Sequence, residues 1–174
     1  MTTQRNSPAR LGRYLRYALT LTFFWVFAAD GWSQVSETFN ANGTFAVPPG
    51  VTQVTVECWG GGGRGGQRSS NGRGGGGGGG AYSRSVLTVT PSTNHTVTVG
   101  DGSNSTGDGG ESWFSTAATI MAKGGASCGN NSTTGAAGGS AATSIGTVKY
   151  SGGSGANAPG GTGAGGGSSA GSAA

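Results

Sequence analysis

Residues 43–63 read GTFAVPPGVTQVTVECWGGGG, an alternating segment that opens directly into glycine. Val54, Val56 and Cys58 fall on one side of the alternation, and Thr55, Glu57 and Trp59 on the other. A period of two predicts a half-buried β-strand over 51–59. A second glycine run, 74–80, leads straight into AYSRSVLTVTP at 81–91, which is rich in β-formers and stops at proline. Glycine framed by such strands belongs to a folded module, because a flexible linker has no reason to alternate.

Working outward, short β candidates flank the Asn42-Gly43 turn signal at 37–39 and 44–47, and Pro48-Pro49-Gly50 makes another turn. Residues 95–100 alternate again, with Val97 and Val99 facing opposite to Thr96 and Thr98. A polar loop at 101–111 follows, then Trp113-Phe114 and 119–122 as further short strands. No segment after residue 33 has helical periodicity. The expected fold is all-β: a small β-sandwich-like module with glycine-rich loops. From residue 124 onward Gly, Ala, Ser and Thr dominate, and only Ile145, Val148 and Tyr150 interrupt them as apolar anchors. Two readings of 124–174 compete: a flexible low-complexity segment, or polyglycine II helices, extended threads with three residues per turn whose bare backbones pack and hydrogen-bond. The expected division is therefore 1–33, 34–123 and 124–174, the last of these continuing into a longer protein.

Composition limits the function classes. Glycine makes up 40 of 174 residues, and only 9 % are charged. So little apolar mass excludes a large core, and stability must come from backbone hydrogen bonds, a small patterned core, or partners. Four arginines lie in the first 34 residues against Asp30 alone, so the net charge of +4 belongs mostly to the N-terminus. That makes it poor support for a nucleic-acid partner. Residues 1–17 are polar and Arg-rich, and 18–29 read ALTLTFFWVFAA. A basic start, a short apolar core and small residues describe a secretory signal ending after Ala29, Gly31 or Ser33. The apolar stretch falls short of the roughly 20 residues of a transmembrane helix. Export to the surface or the medium also permits one disulfide, between Cys58 and Cys128, the chain's two cysteines. The alternative is that Cys58 is a small core residue.

The motifs that could carry chemistry are weak. Gly60-x-Gly62-x-x-Gly65 fits the dinucleotide fingerprint, but no helix pattern follows it, so no cofactor is expected. GASCG (125–129) and GSSAG (167–171) match a nucleophile elbow by expression alone, which a chain this rich in Gly and Ser does by chance. The lone His95 begins a strand and reads as structural; no catalytic residues are expected. Asp101, Asn104, Asp108 and Glu111 share one loop without a calcium-loop spacing, so no metal site is expected. Arg64-Gly-Gly and Arg73-Gly-Gly, with Arg68 between them, make a locally basic loop.

The order of motifs resembles a known family. F-x-x-x-G-T-F-x-V-P-x-G-V-x-x-V-x-V-E-x-W-G-G-G-G runs from Phe39 to Gly63, followed by GGGGGAYS, LTVTP, VTVG and GGESWF at 76–114. This is similar to the bacterial and phage glycine-rich domain of secreted surface proteins and tail-fibre-type adhesins. The resemblance implies a small β module from which polyglycine II threads and variable loops extend. The expected function is non-enzymatic: an exported surface or extracellular-matrix module for adhesion or structural display. Its expected partners are cell-surface glycans or proteins or other matrix components, with no nucleic acid, and a homo-oligomer is open. Candidate contact residues are Trp59, Arg64, Arg68, Arg73, Tyr82 and Trp113. The alternatives are a ligand-free spacer in a larger secreted assembly and an Arg-Gly-Gly-type nucleic-acid binder.

Overall fold

The computed structural model describes residues 35–69, 72–105, 107–159 and 163–171, so the segment 1–33 lies outside it. The alternating stretch becomes strand β2 (Gln53–Trp59), preceded by β1 (Gly43–Ala46) and followed by β3 (Tyr82–Thr88) and β4 (Asn94–Thr98). Three short strands complete the set: β5 (Ser112–Phe114), β6 (Met121–Ala122) and β7 (Val148–Tyr150). They form two antiparallel sheets, β1-β4-β5-β6 and β2-β3-β7. There is no helix among the described residues, and none long and apolar enough to cross a membrane. Residues 37–39 do not form the strand expected of them; the Phe39 ring instead lies against Gly43. The turn before β2 closes by a Val51 N–H to Pro48 carbonyl bond at 3.2 Å, with Gly50 at φ +81°. That is the position where a type II turn requires glycine.

Between the sheets lies a small core of Cys58, Phe114, Ile120 and Ala122, joined by Phe45, Val56, Leu87 and Val97. The face of β2 that alternation assigned to the interior is the one that points there. Phe114 also meets Phe45 edge-on at 5.9 Å and stacks on His95 at 5.0 Å. Buried serines fill the remaining space with their hydroxyls paired: Ser83 donates to the Met121 carbonyl at 2.8 Å, and Ser144 to that of Ser140.

The glycine-rich segments pack against one another as extended threads. We number them I (60–68), II (74–81), III (123–128), IV (133–139), V (152–158) and VI (163–171). Along each pair, bonded positions recur at every third residue. Gly60, Gly63 and Gly66 of thread I donate to the carbonyls of Ala81, Gly78 and Gly75 of thread II. Gly152, Gly155 and Ala158 of thread V donate to Gly139, Ala136 and Thr133 of thread IV. Ala164, Gly167 and Ala170 of thread VI donate to Gly74, Gly77 and Gly80. Three residues per turn in an extended chain is the polyglycine II helix.

Thread II is the axis of this array, and residues 74–80 are all buried. A Cβ at Gly77 or Gly80 would sit 2.1 or 1.8 Å from a carbonyl of thread I, at Gly78 1.9 Å from one of thread IV, and at Gly76 or Gly79 1.9 or 2.0 Å from one of thread VI. All three sides of the helix meet backbone, so every residue there is glycine. The peripheral threads need glycine only on sides that face a neighbour. In thread IV, Gly135 and Gly138 meet thread V at 2.0 and 2.1 Å, while Ala136 and Ala137 fit between them. The dilution of 124–171 with Ala, Ser and Thr is thus the composition of edge threads. Residues on both sides of position 123 share these sheets and threads, and 38–174 form one compact unit.

Candidate functional site

Thread I leaves the end of β2 and thread II returns to the start of β3, so the array grows from one edge of the sandwich. The reversals between threads therefore gather at the far end. Eight residues of polyglycine II span about 25 Å, which sets the height of these turns above the strands. Turn 67–73 meets turn 129–132: Asn131 Oδ1 accepts from Ser69 N–H at 2.9 Å, and Asn131 N–H donates to the Gln67 carbonyl at 2.9 Å. Asn131 sits at φ 54°, one of three non-glycine residues in the left-handed region among the described residues. Asparagine tolerates that conformation better than most side chains. Ala158 N–H donates to Thr133 at 2.9 Å and Gly74 bridges to Gly163, so thread VI begins at the same end.

Arg64 clamps this end. Its Nε donates to the Ser105 carbonyl at 2.8 Å and its Nη2 to Asn130 Oδ1 at 3.1 Å. Its role is therefore structural as well as electrostatic. Arg68 and Arg73 are exposed on turn 67–73 and have no ion-pair partner among the described residues. Two acidic groups of the neighbouring loop are engaged elsewhere. The Asp108 carboxylate accepts from Ser127 N–H at 2.9 Å, and Glu111 pairs with Lys123.

The aromatic candidates sit apart from the tip. Trp59, Tyr82 and Tyr150 are register partners across β2, β3 and β7, with ring centroids 5.2 and 6.0 Å apart. Trp59 and Tyr150 are 43 % and 40 % exposed, but Tyr82 between them is 1 % exposed. Tyr82 is a packing residue and offers no contact surface. Its burial, then the Glu57 carboxylate beside it, push its phenol above the usual tyrosine range. Trp113 is half-buried on β5, opposite Met121 of β6. The structure thus brings Arg64, Arg68 and Arg73 together and leaves Trp59 and Trp113 near the sandwich. Alternation could not reveal Tyr150, because β7 is three residues long and set in glycine-rich chain.

Both cysteines are buried and free, so the disulfide considered from sequence is not formed. Cys58 lies in the sandwich core, whereas Cys128 sits among the threads, with its Sγ 3.2 Å from the Thr134 carbonyl. Burial pushes the Cys58 thiol up to about 11. Ser127 of the GASCG motif is a staple: its Oγ accepts from Arg64 N–H and donates to the Gly107 carbonyl. His95 lies on Phe114, with Nε2 3.3 Å from Thr93 Oγ1. A surface depression of about 190 Å³ beside Arg84, Ser85, Val86, Thr147 and Val148 holds one charged side chain. It is smaller than a pocket that encloses a drug-sized ligand.

These features define a class of protein, an all-β module that anchors a packed polyglycine II array with its turns presented at one end. Residues 37–174 match the family model described as a glycine-rich domain, and the chain belongs to that family. No curated protein matches the sequence.

Proposed function

We propose that this protein is an exported, non-enzymatic surface or extracellular-matrix module that makes adhesive contact through the turns at the far end of its array. The observation that supports this reading most directly is the unpaired basic turn. Arg68 and Arg73 project from a tip beside which the Asp108 and Glu111 carboxylates are already engaged. Such a tip suits an anionic glycan or an acidic protein surface, because arginine presents a flat fork of donors to carboxylates and sulfates. The array serves as a rigid spacer that keeps the turns clear of the sandwich.

The test is binding to intact cells and to an array of neutral and anionic glycans, comparing wild type with the double variant Arg68→Glu, Arg73→Glu. Both side chains are exposed, so thermal stability should be unchanged while binding falls at least tenfold, or about 1.4 kcal/mol. Undiminished binding by the variant would remove the tip from consideration. A wild-type protein that binds no surface tested would favour the ligand-free spacer.

A further inference from the structure

A polyglycine II helix packed on all sides has six neighbours. Each residue sends its N–H to one neighbour and its C=O to the next, so donor and acceptor rows alternate around the axis. Thread II shows five of the six. Its carbonyl rows accept from thread I (at Gly75, Gly78 and Ala81), thread IV (Gly76, Gly79) and thread VI (Gly74, Gly77, Gly80). Two donor rows go to thread III (from Gly78 and Ala81) and to thread V (from Gly76 and Gly79). The remaining row, the N–H groups of Gly77 and Gly80, meets no acceptor among the described residues. It faces the gap between threads I and VI.

The walls of this slot are unpaired in the complementary sense. Among the described residues, no donor reaches the carbonyls of Gly60, Gly63 and Gly66 on one side or of Ala164, Gly167 and Ala170 on the other. Gly62, Gly65 and Gly166 line the rim without an internal need for glycine, and Ser169, three residues on from Gly166, continues it with a small exposed side chain. A Cβ at Gly62, Gly65 or Gly166 would come no nearer than 3.7, 3.5 and 3.7 Å to any atom. A rim of glycine and small residues around unpaired backbone admits another backbone at hydrogen-bonding distance, as an open sheet edge admits a strand.

The chain carries the matching edge itself. On its outer side thread VI presents the N–H groups of Gly165 and Ser168, the carbonyls of Gly166 and Ser169, and the N–H groups of Gly166 and Ser169. None of these is paired among the described residues, and the order donor, acceptor, donor is the complement of the slot's acceptor, donor, acceptor. An incoming thread VI must aim its outer carbonyls at thread II. That places its own central thread on the far side and turns the second copy by 120° about the thread axis. Three such turns close a ring, with each copy giving its thread VI to the next slot. We propose that three copies of this chain associate about a threefold axis parallel to the threads, with their three copies of thread VI packed around it.

Native mass spectrometry and sedimentation equilibrium on the full chain test this. The expected mass is three times that of one chain, falling to one on dilution. Leucine at Gly65 or Gly166 projects into the slot, where the monomer has room for it, and should weaken association at least ~10-fold. Should either variant fold poorly, amide exchange on wild type decides: the Gly77 and Gly80 amides should be protected in the trimer and exchange at least ~10-fold faster after dilution. A monomer at all concentrations, a dimer, an open filament, or a complex holding a different glycine-rich chain would overturn the proposal. So would a trimer that both leucine variants leave intact, or Gly77 and Gly80 amides whose protection ignores dilution.

Discussion

Replacing Gly78 by alanine adds one methyl group at the centre of the array. Its Cβ would lie 1.9 Å from the Ala137 carbonyl oxygen and 2.5 Å from the carbon, where ordinary contact begins at 3.4 Å. Threads II and IV must then part by about 1.5 Å, the difference of those distances. Two bonds hold that pair across the site, Ala136 N–H to Gly76 at 2.9 Å and Gly139 N–H to Gly79 at 2.8 Å. Losing both costs about 2 kcal/mol. Overpacking adds roughly 1–3 kcal/mol, because the clashing atoms are backbone held by other threads. Alanine restricts the unfolded chain more than glycine does, which returns about 0.5–1 kcal/mol. The net loss is about 2–4.5 kcal/mol, a large part of the 5–15 kcal/mol typical of a domain. Urea denaturation reads it as a fall in midpoint of roughly 1–2 M for a slope of about 2 kcal/mol/M. Gly129→Ala is the control, since nothing lies within 4 Å of its Cβ; it should change stability by under about 0.5 kcal/mol. The reasoning fails if Gly78→Ala unfolds at the wild-type midpoint, or if Gly129→Ala is equally damaging.

The Cys58 thiol has its native pKa raised from 9.0 to about 11, so the folded state favours the neutral form. Its contribution is complete below pH 9 and lost as pH rises through 11, amounting to about 3 kcal/mol. Stability measured against pH should fall over that window, and Cys58→Val should flatten the part below pH 10, where the raised Tyr82 phenol does not yet contribute. A profile identical in the variant would assign the slope elsewhere. Alkylation without reductant should label two thiols per chain in denaturant and neither in the native state; fewer than two in denaturant would point to a bridge. Neutralising Arg84 with glutamine should cost less than about 1 kcal/mol, because its pair with Glu57 is 3.6 Å long and well exposed; thermal melts would detect more.

The sandwich was legible wherever strands were long enough to alternate. Residues 51–59 predicted β2 and its inward face because Val54, Val56 and Cys58 repeat at the period of a strand. β7 was not legible: Val148 to Tyr150 supplies one and a half periods, and its pairing with β3 is a tertiary fact. The threads defeated pattern reading for a different reason. Their order lives in backbone contacts, and the side chains record only where a neighbour is close. Gly135 and Gly138, three apart, carry that signal, but the two alanines between them and the Ser and Thr around them read equally as linker. The basic tip was half legible, since Arg64, Arg68 and Arg73 stand out in sequence while Asn130 and Asn131, which position the turn, come from a segment some sixty residues on.

The hydrogen bonds of the array run across the threads, and this gives the module a mechanical character. Force that draws the tip away from the sandwich loads those bonds in shear, all together, and none can be peeled singly. No side chains interlock between the threads at the centre, so a slip of three residues would re-form all but the bonds at the thread ends. Resistance to such a slip therefore rests on the turns and on the strands β2, β3 and β7 that the threads continue. The module would answer a pull as a ratchet with stops, holding its length under load and returning to register when released.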